Sequence, residues 1–212
     1  MTPPTVNAYY SSAQNNINFP AGILQPPFYT NSADMAVNYG GIGAVIGHEL
    51  THGFDDQGRQ YDGDGNLRDW WTKQDEQEFK KRADCLVNEY SKFSPVPGSS
   101  INGRLTLGEN GADNAGIRLA YMALMKSLQD GTVNKEKLDG YTPEERFFLG
   151  YAQVWCQNAR EEALWLRTQT DPHSPGKFRV DGVVQNIPEF ANAFGCSAGQ
   201  PMVAENKGCR VW

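Results

Sequence analysis

The pentapeptide HELTH at positions 48–52 contains three side chains that could carry out metal-assisted hydrolysis. Residues four apart lie on one face of an α-helix, so the imidazoles of His48 and His52 can both reach one ion at about 2.0–2.1 Å, the usual Zn–N distance. Glu49 is turned roughly 100° away from His48, which suits it to accept a proton from water rather than to bind the ion. The pattern predicts a zinc site with His48 and His52 as ligands and Glu49 as general base.

The segment around HELTH strengthens this short motif. Five residues match by chance in many proteins, and a histidine on a helix is commonly an ordinary solvated or core residue. Here segment 33–56 is apolar and contains Gly40, Gly41, Gly43 and Gly47, which allow close approach of another backbone. Imidazoles and a carboxylate in such a helix would be buried polar groups that need partners, and a metal ion would supply them.

Glu109 is the best candidate for the third ligand, because two histidines and one glutamate form a recognised catalytic zinc set. Asp113 follows at helical spacing in the run LGENGADNAG. One of these two carboxylates can therefore bind the ion while the other holds a ligand imidazole from behind. Acidic residues are also favoured at helix starts by the helix dipole, so a purely structural interpretation of the pair stays open.

The third histidine of the chain, His173, falls in the predicted loop DPHSPGKFR at 171–179. A loop histidine is usually just solvated, but in a hydrolytic site it could donate a hydrogen bond to a tetrahedral oxyanion. Arg179 in the same run could clamp a peptide carbonyl or carboxylate.

The composition is that of a globular chain without a nucleic-acid or membrane partner. The formal charge is 19 − 25 = −6, and the basic residues form no cluster that would bind phosphates. No run of 18 apolar residues predicts a membrane segment, and the first residues predict no targeting signal. The four cysteines contain no CxxC pair, which leaves buried thiols and long-range disulfides as alternatives.

The periodicities predict an α+β fold that is mainly α. An extended or edge strand around NAYY at 7–10 is followed by irregular chain. Apolar spacing and capping residues predict a buried active-site helix that ends near Gly53 and later helices separated by polar loops. The later helices are expected at 72–92, 106–129, 142–168 and 188–194, with loop and a short strand in the run at 171–182.

Six segments together are similar to the C-terminal catalytic part of the neprilysin family of zinc metallopeptidases, which includes endothelin-converting enzymes and bacterial oligopeptidases. Such an ordered set is far more specific than HExxH alone, and it extends through essentially all of the chain. The segments are VNAYY at 6–10, GHELTHGFDDQGR at 47–59, LGENGADNAG at 107–116, GYAQVWC at 150–156, DPHSPGKFRV at 171–180 and the terminal CRVW.

The resemblance implies a thermolysin-like zincin core, with residues 1–212 as a single catalytic domain, and it implies a role for each matching residue. His48, His52 and Glu109 would bind Zn²⁺, Glu49 would be the base, Asp113 would orient His48 and His173 would stabilise the transition state. The substrate backbone would pair with Asn7 and Ala8 as an added strand, and Arg179 would hold a substrate carbonyl. The hydrophobic pocket for the residue after the scissile bond would be lined by Phe28, Ile23, Val154 and Trp155.

The resemblance also implies that the chain is a C-terminal fragment, since family members carry a large N-terminal portion that roofs the active site. Cys85 would pair with Cys209, whereas Cys156 and Cys196 would pair with cysteines of that missing N-terminal domain. The location would be extracytoplasmic. Two positions depart from the family pattern: Gly111, where a larger apolar residue is usual, and Ala115, where glycine is usual.

We therefore expect a zinc-dependent endopeptidase that cleaves short oligopeptides on the amino side of hydrophobic residues. The alternative is a zinc-binding but inactive peptide-binding or scaffold module that needs its N-terminal half.

Overall fold

A computed structural model describes residues 1–204 and 208–212. These residues form a mainly helical fold with a small two-stranded sheet, which confirms the expected α+β class. The strands are β1 (Tyr9–Ser11) and β2 (Asn16–Asn18), and the helices are α1 (Met35–Asn38), α2 (Ala44–His52), α3 (Lys73–Tyr90), α4 (Leu107–Gln129), α5 (Pro143–Val154), α6 (Glu161–Thr170), α7 (Gly176–Val184) and α8 (Pro188–Ala193).

The N-terminal hairpin confirms the strand expected near NAYY. β1 pairs antiparallel with β2, and Tyr10 is opposite Ile17. The turn is tied to the loop after α2, because the Asn15 side-chain amide donates to the carbonyl oxygen of Gly63 at 3.0 Å. Asn7 and Ala8 directly precede β1, and Ala8 is buried.

α1 and α2 form one continuous helical rod, as expected for the segment that ends near Gly53, but a π-helical turn at Tyr39–Gly43 joins them. Its glycines permit close packing. A Cβ at Gly40 would lie 2.0 Å from the carbonyl oxygen of Phe147 in α5, and one at Gly41 would lie 2.4 Å from that of Phe28. The rod is therefore packed closely between α5 and the segment before α1 that contains Phe28.

The predicted cap at Thr142 is confirmed, but the single helix expected over 142–168 is wrong. The backbone N–H of Glu145 donates to Thr142 Oγ1 and that of Thr142 donates to the Glu145 carboxylate, with Pro143 in the first turn. The helix ends at Val154, and α6 begins only at Glu161. The expectation of loop and short strand over 171–182 is also wrong in part, because α7 begins at Gly176.

Two apolar clusters share α4. The larger one joins α4 to α5, α7 and the rod through residues such as Ile117, Leu124, Phe147 and Val183. The second joins α3 to the start of α4 and to the C-terminal residues, with Leu86 and Val211 among its members. A disulfide between Cys85 in α3 and Cys209, 124 residues apart, fixes the C-terminal segment to α3. Among the described residues, no helix combines the length and apolarity that a membrane crossing needs.

Candidate metal centre and active site

The site is built where α2 and α4 touch backbone to backbone. A Cβ at Gly47 would lie 2.5 Å from the carbonyl oxygen of Gly116, and one at Gly116 would lie 2.4 Å from the backbone nitrogen of His48. Only glycine, which has no Cβ, allows the two backbones to approach so closely. The two helices therefore bring the histidines of one and the carboxylates of the other within direct reach.

The two histidines of HELTH point their Nε2 atoms at each other, 2.9 Å apart. Each Nδ1 faces a carboxylate on the other side of the ring: His48 Nδ1 is 2.8 Å from Asp113 Oδ1, and His52 Nδ1 is 2.6 Å from Asp55 Oδ2. In the neutral form of each ring, the nitrogen beside a carboxylate carries the proton, and Nε2 keeps its lone pair. Two lone pairs thus face one another in a buried space.

Glu109 completes this cluster of electron-rich atoms. Its Oε2 lies 3.2 Å from His48 Nε2, and its Oε1 lies 3.7 Å from His52 Nε2. Oε2 is buried and has no hydrogen-bond partner among the described residues, and the nearby cation Arg179 approaches it only to 3.6 Å, through Nη2. Such an arrangement is repulsive unless a cation lies at its centre.

The donor set fits Zn²⁺. Two imidazoles and one carboxylate are a recognised zinc set with a position left for water. The 2.9 Å between the two nitrogens is near the roughly 3.3 Å that separates two tetrahedral ligands about 2.0–2.1 Å from a metal. The Glu49 carboxylate also lies within 4.8 Å of both imidazoles, but Glu109 provides the buried unpaired oxygen.

The pKa values of His48 and Glu109 also indicate that the cluster favours a bound positive charge. Burial lowers the pKa of His48, but the hydrogen bond and charge of Asp113, together with Glu109, outweigh it and raise that pKa to about 9. Burial raises the pKa of Glu109, but the contact with His48 outweighs it and lowers that pKa to about 2. The cluster thus holds positive charge tightly, either as a proton or as a metal ion.

Glu49 is buried beside the imidazoles, one residue along α2 from His48. Burial raises the pKa of its carboxyl group, and positive charge on His48 and His52 opposes that rise. A carboxylate that is short of solvent and close to the donor cluster is a stronger base than an exposed one.

Arg179 lies behind the cluster, paired with Asp113. Its Nε donates to Asp113 Oδ2 at 2.7 Å, and its Nη2 donates to Asp113 Oδ1 at 2.7 Å. The guanidinium stacks on Trp155, 3.9 Å from the centroid of the ring. Both charged groups are buried. Burial raises the pKa of Asp113, but the charge of Arg179 and the hydrogen bond with His48 hold it well below its usual range.

The loop after α6 brings His173 to the same place. Its Nε2 lies 3.2 Å from Glu109 Oε1. Ser174, which is fully buried, donates to the side-chain oxygen of Asn110 in α4 at 2.7 Å, and this anchors the loop. Asp171 accepts hydrogen bonds from the backbone N–H of His173 at 2.9 Å and from its Nδ1 at 2.8 Å.

A cavity of about 900 Å³ opens above the cluster, and all thirteen residues singled out from the sequence line it. It follows the helical rod from Gly41 in the π-helical turn, which packs on Phe28, to Asp56 and Gly58 beyond His52. The lining includes Asn7 and Ala8 beside β1, the apolar group Ile23, Phe28, Val154 and Trp155, and the polar group His48, Glu49, His52, Glu109, Asp113, His173 and Arg179.

Sequence reasoning missed two carboxylates of this site. Asp55 holds His52, and Asp171 holds His173, in each case through Nδ1. Both follow a helix end, so no helical spacing pointed to them. The available signal was chemical, because an imidazole bound through Nε2 needs an acceptor at Nδ1, and these aspartates are three residues after His52 and two before His173.

Known proteins are similar to this chain over all or nearly all of its length. The chain is 52% identical over its whole length to human endothelin-converting enzyme 1, of which it covers 27%, and 47% identical over 98% of its length to human membrane metallo-endopeptidase-like 1, of which it also covers 27%. The zinc metalloprotease Zmp1 of Mycobacterium tuberculosis, solved with an inhibitor, superimposes on 99% of the chain with a TM-score of 0.94 at 46% identity, and 33% of that protein is covered.

The chain thus spans about a quarter of the length of the curated relatives that it matches. The model of peptidase family M13 matches residues 7–211. With this match over nearly its whole length, the chain belongs to peptidase family M13.

Proposed function

We propose that this chain is the catalytic domain of a zinc metalloendopeptidase that hydrolyses short peptides. The observation that carries the proposal is the convergence of His48 Nε2, His52 Nε2 and the unpaired oxygen of Glu109 at the base of an open cavity. Membership of family M13 supports it.

His48, His52 and Glu109 would hold the ion. Zinc bound there would lower the pKa of a water molecule from 15.7 towards about 7 and polarise the carbonyl of a scissile peptide bond. Asp113 and Asp55 keep the proton on Nδ1 of each imidazole, so that both Nε2 lone pairs stay available.

Glu49 would be the general base. Its raised pKa and buried position suit it to take a proton from water as the oxygen attacks the peptide carbon. When the C–N bond breaks, the same carboxyl group returns the proton to the leaving nitrogen, which departs as an amine. The carboxylate is thus regenerated at the end of each cycle.

His173 and Arg179 would stabilise and position the substrate. His173 presents Nε2 to the cavity beside Glu109. With protons on both ring nitrogens, its Nδ1–H would stay with Asp171 and its Nε2–H would donate to the developing oxyanion. The contacts of Arg179 with Asp113 use Nε and Nη2, so Nη1 is the nitrogen that would meet a substrate carbonyl. The peptide would lie along Asn7 and Ala8 as an added strand.

The apolar part of the cavity would select the residue after the scissile bond. Ile23, Phe28, Val154 and Trp155 line it, and burial of a hydrophobic side chain there contributes about 1.5–3 kcal/mol. Cleavage is therefore proposed on the amino side of hydrophobic residues. The disulfide between Cys85 and Cys209 is typical of an oxidising compartment, which supports an extracytoplasmic location.

A second candidate is a zinc-binding, inactive peptide-binding module. The matched part is only about a quarter of the relatives' length, which favours a site that needs residues outside the matched part for its activity.

Two matched variants separate these candidates, with hydrolysis of a fluorogenic oligopeptide and zinc content as readouts. Glu49→Gln should keep one equivalent of zinc and lose nearly all activity, whereas Glu109→Gln should lose the zinc as well. Glu161→Gln, on the exposed first turn of α6, is the control and should match the parent chain. Stoichiometric zinc without chelator-sensitive turnover in the parent would favour the inactive module, and absence of zinc would overturn both.

A further inference from the structure

We propose that Arg167 is a positioning residue that fixes His173 through Asp171. The chain of contacts starts in α6 and ends at the metal cluster. Its catalytic meaning rests on the proposed peptidase function, in which His173 stabilises the oxyanion, whereas its structural part does not.

The contacts are short and follow one another. Arg167 Nε donates to Asp171 Oδ2 at 2.9 Å. The other oxygen, Oδ1, accepts from the backbone N–H of His173 at 2.9 Å and is 2.8 Å from its Nδ1. The opposite ring nitrogen, Nε2, lies 3.2 Å from Glu109 Oε1. Oδ2 of Asp171 thus binds Arg167, which fixes the carboxylate. Oδ1 binds His173, which the carboxylate fixes in turn.

Asp171 needs this partner because of its position in the fold. It follows the last residue of α6, Thr170, and caps that end of the helix. A negative charge is unfavourable at a helix C-terminus, where the unpaired carbonyls carry partial negative charge, and a cation there is favourable. Without Arg167 the carboxylate would be repelled from the helix end, and its side chain would be free to rotate away from His173.

This pair differs from an ordinary surface ion pair. The side chains of Arg167 and Asp171 are 31% and 26% exposed, whereas those of Lys80 and Glu76, also four apart, are 62% and 36% exposed. Arg167 also lines the cavity beside His173. A half-buried, charge-assisted contact fixes geometry better than two solvated chains do.

Arg167 lies in α6, directly before the loop, and holds the start of the loop through Asp171. Thr168 is the buried residue of this helix. The loop after it is anchored on its far side by Ser174, which donates to Asn110. His173 is therefore held between Ser174 and Asp171. Of these two contacts, only the one with Asp171 depends on a residue, Arg167, that can be substituted without removing a buried group.

The first test does not need activity. Hydrogen exchange at the backbone amide of His173, with ¹⁵N-histidine spectra of its Nδ1 proton, should show about tenfold faster exchange in Arg167→Ala, as expected when a hydrogen bond between charged groups is lost. Arg167→Lys, which keeps the charge, should restore most of the protection. Arg160→Ala, an exposed arginine at the start of the same helix, should change nothing. Unchanged exchange in folded Arg167→Ala would overturn the proposal.

The second test measures peptide hydrolysis. Arg167→Ala should lower kcat about tenfold and leave KM within about twofold, because the residue acts on the oxyanion donor and not on the substrate. In a His173→Ala background the same substitution should cost nothing more. Additive losses, or a rise in KM alone, would contradict a role through His173. A parent chain without turnover would refute the proposed function, and the exchange experiment would still decide whether Arg167 fixes His173.

Discussion

At the residue scale, the site consists of imidazoles that are each fixed by a carboxylate of their own. Asp113, Asp55 and Asp171 face the Nδ1 atoms of His48, His52 and His173 respectively. These carboxylates come from α4, from the loop after α2 and from the end of α6, so each histidine is held from a different direction. The rings cannot turn independently of the fold, and this rigidity is what orients their Nε2 atoms.

Asp55→Asn tests this arrangement at one contact. Asp55 Oδ1 accepts from the backbone N–H groups of Gln57 and Gly58, which asparagine can preserve, while its Oδ2 faces His52. The amide would present N–H to His52 Nδ1 and disfavour the tautomer that frees Nε2. We expect zinc affinity, measured by competition with a chromophoric chelator, to fall about 10- to 100-fold.

Asp69→Asn is the control for this substitution, because Asp69 is exposed. Its zinc affinity should equal that of the parent chain. If Asp55→Asn bound zinc as tightly as the control, the carboxylate would have no part in orienting His52.

The sequence was informative at this scale wherever a helical spacing linked the residues. The separations of His48 from His52 and of Glu109 from Asp113 placed each pair on one helix face, and the structure brings all four together. The sequence could not show that Arg179 would pair with Asp113, because that contact joins α7 to α4 across 66 residues. Contacts of that kind depend on the packing of helices and leave no local pattern.

At the element scale, the contact between α2 and α4 is set by glycines, and two glycines of α4 have opposite surroundings. A Cβ at Gly116 would meet His48 N at 2.4 Å and Ala44 O at 2.9 Å, whereas one at Gly111 would meet nothing within 4 Å. The first glycine is required by close approach. The second, at a position where the family pattern predicts a larger residue, only weakens the helix.

These two positions give a matched pair of substitutions. Gly116→Ala should force the helices apart and destabilise the fold by about 1–3 kcal/mol, with weaker zinc binding because the donors of the two helices separate. Gly111→Ala should stabilise it by about 0.5–1 kcal/mol through helix propensity alone. Urea unfolding of both variants measures the two effects, and equal changes at both positions would show that close packing is not the cause.

α3 is joined to the chain beyond α7 through a half-buried carboxylate. Glu89 accepts a hydrogen bond from the Asn186 side-chain amide at 2.7 Å, and Asn186 in turn accepts from the backbone N–H of Cys209. Burial raises the pKa of Glu89, although the hydrogen bond from Asn186 opposes the rise. The fold therefore favours the protonated form of this side chain.

Glu89→Gln should reveal this as a pH-dependent difference in stability. A raised folded-state pKa gives a contribution that is complete below the unfolded-state value of about 4.3 and is lost as pH rises through the folded-state pKa. Glutamine keeps the acceptor oxygen and does not ionise, so the variant should be more stable than the parent at pH 7, and the difference should vanish at pH 4. Urea unfolding at both pH values checks the sign, and an equal difference at both would contradict it.

The elements that the sequence misassigned are those in which packing overrides local preference. The run from Gly176 to Val184 contains two glycines and three valines, which weaken helix propensity. It is nevertheless helical, because Arg179, Gly182 and Val183, at helical spacing, are buried against the rest of the fold. The break between α5 and α6 could not be predicted either, since residues 155–160 contain no proline or glycine.

At the scale of the whole molecule, the disulfide closes a loop over most of the chain. Cys85 and Cys209 are 124 residues apart, and the segment between them includes α4 and His173. Cross-linking so long a loop restricts the unfolded chain strongly. It also keeps Val211 in the apolar cluster with Leu86.

Replacement of both bonded cysteines by serine should lower the free energy of unfolding by about 2–5 kcal/mol. Cys156→Ser should change it little, because that thiol is exposed and unbonded among the described residues. Thermal unfolding under non-reducing conditions distinguishes the two variants. If Cys156→Ser proved as costly as loss of the disulfide, stabilisation by loop closure would be the wrong explanation.

The π-helical turn at Tyr39–Gly43 sets how far α2 is rotated relative to α1 about the axis of the rod. Its hydrogen bonds span one residue more than those of an α-helix, and each residue of an α-helix corresponds to about 100° of rotation. Upstream of the turn the rod packs through Val37 on Gly150 of α5, and downstream it presents His48 and His52 to α4. Loss of one residue within the turn would therefore rotate both imidazoles away from Glu109 while every residue of the site remained in the sequence.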